Sequence, residues 1–360
     1  MHPTPLPKRC WFIWRRWPDS GAGRNFHRMT LPVQDALPRT IYRAPNGSDV
    51  IDCHPREVAQ LLEEGGPLWV DIDSTVRSQH ALLEKVFRFH PLAIEDTLNP
   101  SSRVKLEEYV NYLFISMRGV SLAESTEDPY DLETKDLYCF LGPNYLVTVH
   151  AGPLPSVDRV SDAIRRSPEL LSRGVERALH AILDDTIDGF FPILNQIDDF
   201  IDGIEERVFA AFDEHAMHDI FIVKRLVLSL RRYLQPAREV MNVLTNRPST
   251  LLTPDVQIYF RDIYDHVLRI NDSLETYRDL LSSTMDAYLT QVSNRLALST
   301  KRLSLVATMS LPFVVVSGMW GMNFVKIPLS TWSHGFWVLL VVQLGLGAAL
   351  LYFLRRRKLL

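Results

Sequence analysis

The sequence predicts an α+β/α membrane protein. A soluble α/β domain leads into an acidic helical hairpin, then into one long helix that continues as the first of two membrane spans. Three observations carry that prediction. Residues 303–320 and 336–354 are apolar runs of 18 and 19 residues without a charge, and a bilayer core takes roughly 20 helical residues, with ~17 as the lower limit. No Gly or Pro interrupts the 57 residues 255–311, which as a single helix would rise about 85 Å. Strand-like runs are confined to the chain before residue 152.

Taken in order, residues 1–39 form a basic, aromatic extension. Lys8, Arg9, Arg15, Arg16, Arg24 and Arg28 stand against Asp19 alone in its first 28 residues, with Trp11, Phe12, Trp14 and Trp17 among them. Arg15 and Arg16 interrupt the one apolar core that a secretory signal could use. The segment is therefore expected to be a membrane-surface or disordered arm, or a stretch upstream of a true start at Met29.

Residues 40–172 read as a cytoplasmic α/β domain with a small mixed sheet. Segments 68–72, 112–117, 137–141 and 145–149 are short, apolar and bounded by Gly, Pro or Asn, as strands are. Gly142-Pro143-Asn144 marks a hairpin between the last two. Segments 55–64 and 78–87 read as helices, the first with Pro55 at its start.

Residues 173–250 read as an acidic antiparallel hairpin with arms 176–207 and 217–244. Ile197, Ile201, Ile204 and Val208 form its apolar stripe, opposite Asp198, Asp199, Asp202, Glu205 and Glu206. Pro236 is expected to kink or break the second arm. Residues 251–302 form the stalk helix, with Phe260, Ile263, Val267, Ile270, Leu274, Tyr277 and Leu281 at the alternating spacing of packed helices. The first span, 303–323, ends in Gly321-Met322-Asn323. A short external loop, 324–335, leads to the second span, 336–354, and a basic tail, 355–360.

Lys301 and Arg302 precede the first span, while Arg355, Arg356, Arg357 and Lys358 follow the second. Basic flanks stay on the cytoplasmic side, so both termini are expected there, in a plasma (inner) membrane. The formal charge of −4 hides an asymmetry: residues 1–300 hold 32 basic against 43 acidic groups, a net of −11. An acidic soluble part gathers cations and disfavours nucleic acid as a partner. Cys10, Cys53 and Cys139 are widely spaced without a Cys-x-x-Cys pair, which supports neither a disulfide framework nor a thiolate metal site.

Gly321-Met322-Asn323 at the outer end of a first span, with a second span and a basic tail after it, resembles the signature of the CorA-type magnesium transport family. The resemblance extends through Tyr259-Phe-Arg-Asp-Ile-Tyr-Asp-His266, Glu275-Thr-Tyr-Arg-Asp279, Val292-Ser-Asn-Arg295 and His90-Pro-Leu-Ala-Ile-Glu-Asp-Thr-Leu-Asn99. It covers roughly residues 40–360. It implies a funnel-shaped homopentamer whose first span lines the pore, with Thr300, Leu303, Ala307, Leu311, Val314 and Gly318 recurring on one helix face. Gly321, Met322 and Asn323 would form the selectivity filter, binding hydrated Mg²⁺ through neutral oxygens. Asp286 matches a ring of carboxylates at the inner mouth.

The resemblance further implies cytoplasmic regulatory metal sites between subunits. Asp96 of one subunit would face Asp262 of its neighbour, with Glu95, Asp184 and His266 at a second site. Two departures bear on the ion carried. The stretch 324–330 holds Lys326 and no acid, where the family often has acidic residues, and Val314 stands where Thr is common. The expected function is Mg²⁺ uptake gated by cytoplasmic Mg²⁺, with no small-molecule substrate beyond metal ions. The alternatives are Zn²⁺, Co²⁺ or Ni²⁺ transport on the same fold, which Met322 disfavours for zinc, and a non-conducting metal sensor. An enzyme is not expected, because His90, Glu95 and Asp96 lack a second ligand cluster or nucleophile nearby in sequence.

Overall fold

The computed structural model describes residues 37–45, 47–99, 103–122, 132–210, 213–322 and 332–356. The expectations placed on residues 1–36, on Asn323 and Lys326, on most of the external loop and on the last four residues lie outside the described set.

In chain order the elements are β1 (Arg39–Arg43), β2 (Asp49–Ile51), α1 (Pro55–Glu64), β3 (Leu68–Asp73), α2 (Arg77–Lys85), α3 (Pro91–Leu98), β4 (Lys105–Glu108), β5 (Leu113–Leu122), β6 (Leu132–Leu141) and β7 (Tyr145–His150). Helices follow from there: α4 (Pro155–Arg166), α5 (Glu169–Ser172), α6 (Val175–Asp188), α7 (Phe190–Ala210), α8 (Ala216–Asn246), α9 (Pro254–Trp320) and α10 (Gly335–Arg356).

The sheet order is β2-β1-β3-β7-β6-β5-β4. Only β3 and β7 pair in parallel; the other neighbours are antiparallel. The sheet is mixed, as expected, but larger than the four strands legible in the sequence. The extra strands β1, β2 and β4 are short and polar, and their pattern alone does not separate them from loop. The β6–β7 hairpin turns at Gly142, where a Cβ would come within 2.2 Å of the Tyr145 ring. A side chain there would displace Tyr145 or open the turn.

Alternation along the strands fills two layers. Leu68, Val70 and Ile72 of β3 join Phe114, Phe140 and Val147 against α1, α2 and α3. Trp69 of β3 joins Ile115, Met117, Cys139 and Leu146 beneath α4 and α6, in a core that runs on into α7, α8 and α9. The aromatic layer under α3 is continuous, with Phe89 stacked on Phe140 at 4.0 Å between ring centroids.

Three details of the helices bear on the course of the chain. The first hairpin arm is two helices divided at Gly189, which lies beside β5, an added Cβ there making ordinary contact at 3.7 Å from the Val120 carbonyl. The break lets α6 cover the sheet while α7 leaves it for α8 and α9. Pro236 does not end its helix, since α8 continues through it to Asn246. Gly321 caps α9 with right-handed backbone angles, φ −81° and ψ −6°, so the exit from the helix uses none of glycine's extra freedom.

The 67-residue α9 spans about 100 Å. Its domain half is fixed by Val256, Phe260, Ile263, Val267, Ile270, Leu274, Leu281 and Tyr288, all buried. Truncating one such side chain costs ~2–5 kcal/mol, against about 0–1 kcal/mol for an exposed ion pair. Apolar packing therefore sets the helix direction. Beyond Tyr288 no residue of α9 is fully buried.

Under α4 the sheet holds a buried polar group. His150 Nε2 lies 3.0 Å from Asp71 Oδ1, and its Nδ1 lies 2.6 Å from the Gly152 carbonyl. Thr148 donates to the same Asp71 oxygen at 2.6 Å. Two acceptors flank one ring, which fits the doubly protonated imidazolium. Burial pushes the imidazolium down, but the Asp71 hydrogen bond and charge, with the Gly152 carbonyl, outweigh it and raise its pKa above 6.5. The stabilisation is therefore complete below about pH 6.5 and fades as pH rises through the elevated value. Thermal unfolding of the wild type should show that loss, and His150→Gln should flatten this part of the profile. An unchanged slope in the variant would mean that His150 is neutral in the fold.

Candidate metal centre and pore helix

α6 and α9 lie side by side, and their facing turns bring acids and imidazoles together. His266 Nδ1 of α9 lies 2.9 Å from Asp188 Oδ1 and 4.0 Å from Asp184 Oδ1. Asp262 Oδ2, one turn earlier on α9, lies 4.0 Å from His266 Nε2. Among the described residues, Asp184, Asp188 and His266 are the one group of three whose ligand atoms all come within 4.8 Å of one another.

The electrostatics favour a cation at this group. Burial pushes the Asp184 carboxyl up, and the neighbouring Asp188 charge adds to the shift. Burial likewise lowers His180, one turn before Asp184 on α6. Asp184 Oδ1 and His180 Nε2 are buried without a hydrogen-bond partner. A divalent ion would neutralise the repulsion between the two carboxylates and supply the missing partner.

The structure brings Asp184 and His266 together, and Asp188, which the sequence reading did not single out, lies with them. Its signal was the i, i+4 spacing from Asp184, which puts both carboxylates on one face of α6. Glu95 and Asp96 do not join them within the chain. α3 packs on the sheet face that holds Val70, whereas α6 packs on the face that holds Trp69. The sheet stands between them, so only a second copy could bring α3 to the α6–α9 group. Asp262 is placed for such a meeting, its side chain 73% exposed. Asp96 is already held by Lys105 Nζ at 2.8 Å, which also binds Glu107 at 2.7 Å. His90 caps α3, its Nδ1 accepting from the Leu92 N–H at 3.2 Å.

The membrane half of α9 has two contrasting faces. Leu305, Met309, Phe313, Val316 and Trp320 are half-buried, and Phe313 lies so close to α10 that a Cβ on Gly347 would meet its ring at 2.5 Å. Leu303, Leu311 and Val314 are 72%, 63% and 65% exposed, and Thr300, Ala307 and Gly318 are exposed with them. Leu303 and Leu305 differ by two residues, about 200° of helix rotation. The face expected to line a pore therefore points away from α10. Asp286 is exposed further down the same helix, and Gly321 and Met322 are exposed at its outer end. Both α9 and α10 are apolar and long enough to cross a membrane.

The family described as CorA-like Mg2+ transporter protein matches residues 64–356 of the chain. The chain is 32% identical over 282 residues to the putative metal ion transporter YfjQ of Bacillus subtilis, across 78% of this chain and 85% of that protein. It is 30% identical over 305 residues to the cobalt/magnesium transport protein CorA of Thermotoga maritima, across 84% and 86%. The solved structure of the CorA magnesium transporter from Methanocaldococcus jannaschii superposes with a TM-score of 0.77 at 20% identity, covering 89% of this chain and 98% of that one.

Proposed function

Because the chain belongs to the CorA-like Mg2+ transporter family, we propose that it assembles as a funnel-shaped homopentamer that admits Mg²⁺ across the inner membrane. The observation that carries this reading is the orientation of α9. One continuous helix bears Asp262 and His266 in the soluble domain and the uncovered face of Leu303, Ala307, Leu311, Val314 and Gly318 in the membrane. Two spans cannot enclose a pore alone, and five copies of that face can. Leu303 and Leu311 then form apolar rings that close by dewetting. Gly321, Met322 and Asn323 form the outer filter, and Asp286 concentrates cations at the inner mouth.

Orientation follows from the ends of the spans. Lys301, Arg302, Arg355 and Arg356 flank the inner ends, while Trp332, Phe336 and Trp337 lie near the outer end of α10, as interface anchors do. Both termini are then cytoplasmic. The regulatory metal sits where Asp262 of one subunit meets Asp96 of the next, with Asp184, His266 and Glu95 beside it. Bound Mg²⁺ joins neighbouring domains and holds the pore shut.

A second reading, carriage of Co²⁺, Ni²⁺ or Zn²⁺ on the same fold, is favoured by one feature. His266 places an imidazole in the α6–α9 group, and imidazole suits those ions better than Mg²⁺.

Cysteine accessibility tests the pore face. Single Cys substitutions at Ala307, Leu311 and Val314, in a Cys10→Ser background, should react with a water-soluble thiol reagent. Those at Met309 and Val316 should stay protected, and native Cys53 and Cys139 are buried. Equal labelling of both sets would refute a pore lined by this face.

A further inference from the structure

Away from the metal centre and the membrane half, a cleft of about 660 Å³ opens between the β4–β5 side of the sheet and α8. Arg103, Val104, Arg118, Arg232, Tyr233 and Pro236 lie along its walls, with Glu239 the one carboxylate among the lining residues. Such a volume falls within the roughly 300–1,000 Å³ of small-molecule sites. It exceeds what one inorganic phosphate needs.

The charge distribution here reverses that of the chain around it. Two guanidiniums converge on one aromatic ring, Arg118 at 5.2 Å and Arg232 at 5.4 Å from the Tyr233 centroid. Arg118 has Asp136 as its ion-pair partner. Arg232 donates to the Tyr233 hydroxyl at 3.5 Å, a long bond to a neutral group, and Arg103 also lines the cleft. Asp136 offsets Arg118 and Glu239 offsets part of the rest, which still leaves the cleft with more guanidiniums than carboxylates, and a planar guanidinium offers phosphate oxygens a bidentate grip.

The wall has a further feature. Pro236 sits inside a 31-residue helix, where proline costs ~3 kcal/mol and deprives the carbonyl four residues earlier of its donor. That carbonyl belongs to Arg232.

We propose that this cleft binds a polyphosphate anion, free or carried on a nucleoside, with Arg103, Arg118 and Arg232 on the phosphates. Chelated Mg²⁺ cancels two of the anion's charges, so the metal-free form is the better ligand. The site would then fill when free Mg²⁺ is scarce, the condition under which the proposed transporter must open. α8 packs along α9 and gives the bound anion a mechanical route to the pore helix. The binding claim stands apart from the transport reading, and its test uses no flux.

Equilibrium dialysis of the full-length protein in detergent, with radiolabelled ATP and EDTA, should show saturable binding. Excess Mg²⁺ should weaken it, and so should raising the salt from 50 to 300 mM. Inorganic tripolyphosphate should compete and adenosine should not. Arg232→Ala and Arg103→Ala should each lower affinity roughly 10-fold or more, while Arg225→Ala, on α8 but outside the cleft, should leave it unchanged. Absence of saturable binding in the wild type would overturn the proposal. So would binding indifferent to salt and to both cleft substitutions, or displacement by adenosine alone.

Discussion

Asn323→Ala should reduce Mg²⁺ uptake to the background of empty liposomes while leaving the assembly intact. Mg²⁺ holds its water tightly and demands near-octahedral oxygen ligands, so a pore that passes it must bind the hydrated ion through neutral acceptors. In the proposed pentamer the Asn323 carbonyl oxygens of all subunits would provide them, and alanine removes every one. In the proposed assembly the substitution removes one amide per subunit and no apolar surface, so the oligomer is expected to persist. Flux and size-exclusion chromatography, read together, check this. Wild-type uptake by an intact oligomer would remove Asn323 from the filter.

The second large effect concerns the gate. If Asp262 of one subunit shares a metal with Asp96 of the next, chelation leaves carboxylates facing each other at every subunit boundary, and the soluble domains move apart. A ligand that binds only the closed arrangement shifts the population toward it. Asp262→Lys replaces the metal by a fixed cation able to pair with Asp96. The variant should stay closed in EDTA and resist proteolysis of the stalk, where the wild type opens and is cut. Asp96→Asn should instead weaken inhibition by internal Mg²⁺. The intrasubunit partner of Asp96 sets the scale, because Lys105 at 2.8 Å already competes for that carboxylate. Wild-type inhibition curves in both variants would make these residues solvated charges and place the gate elsewhere.

The long helix and both spans were legible because they rest on features that nothing downstream overrides. An absence of Gly and Pro over 57 residues and two uncharged runs of membrane length leave few other structures open. The central strands were legible for the same reason, since a fully buried strand such as β7 is apolar along most of its length. Edge strands β2 and β4 were not, because one edge and much of one face meet solvent, and their residues read as loop. The break at Gly189 carries no local mark, and the turn that follows lies beside β5, 69 residues earlier in the sequence. Pro236 failed as a breaker because the rest of α8 is held by its buried face, including Leu234, Ala237 and Val240.

At the site, the resemblance supplied Asp184 and His266, and the fold brought them together. Asp188 completes the group through ordinary helical spacing, yet an Asp on an acidic helix carries no mark of its own. The pore face could be assigned from sequence only with help from the family, since every position of an apolar span looks alike. The packing of Phe313 against Gly347 shows which side of α9 meets α10, and it is on the opposite side that the proposed pore face lies.

Ion-resolved flux into proteoliposomes tests the central claim most directly. The full-length protein, reconstituted alone, should take up Mg²⁺ down its electrochemical gradient, and Mg²⁺ on the domain side should shut that uptake off. Uptake no greater than that of protein-free liposomes, or uptake of Zn²⁺, Co²⁺ or Ni²⁺ without Mg²⁺, would contradict a magnesium channel.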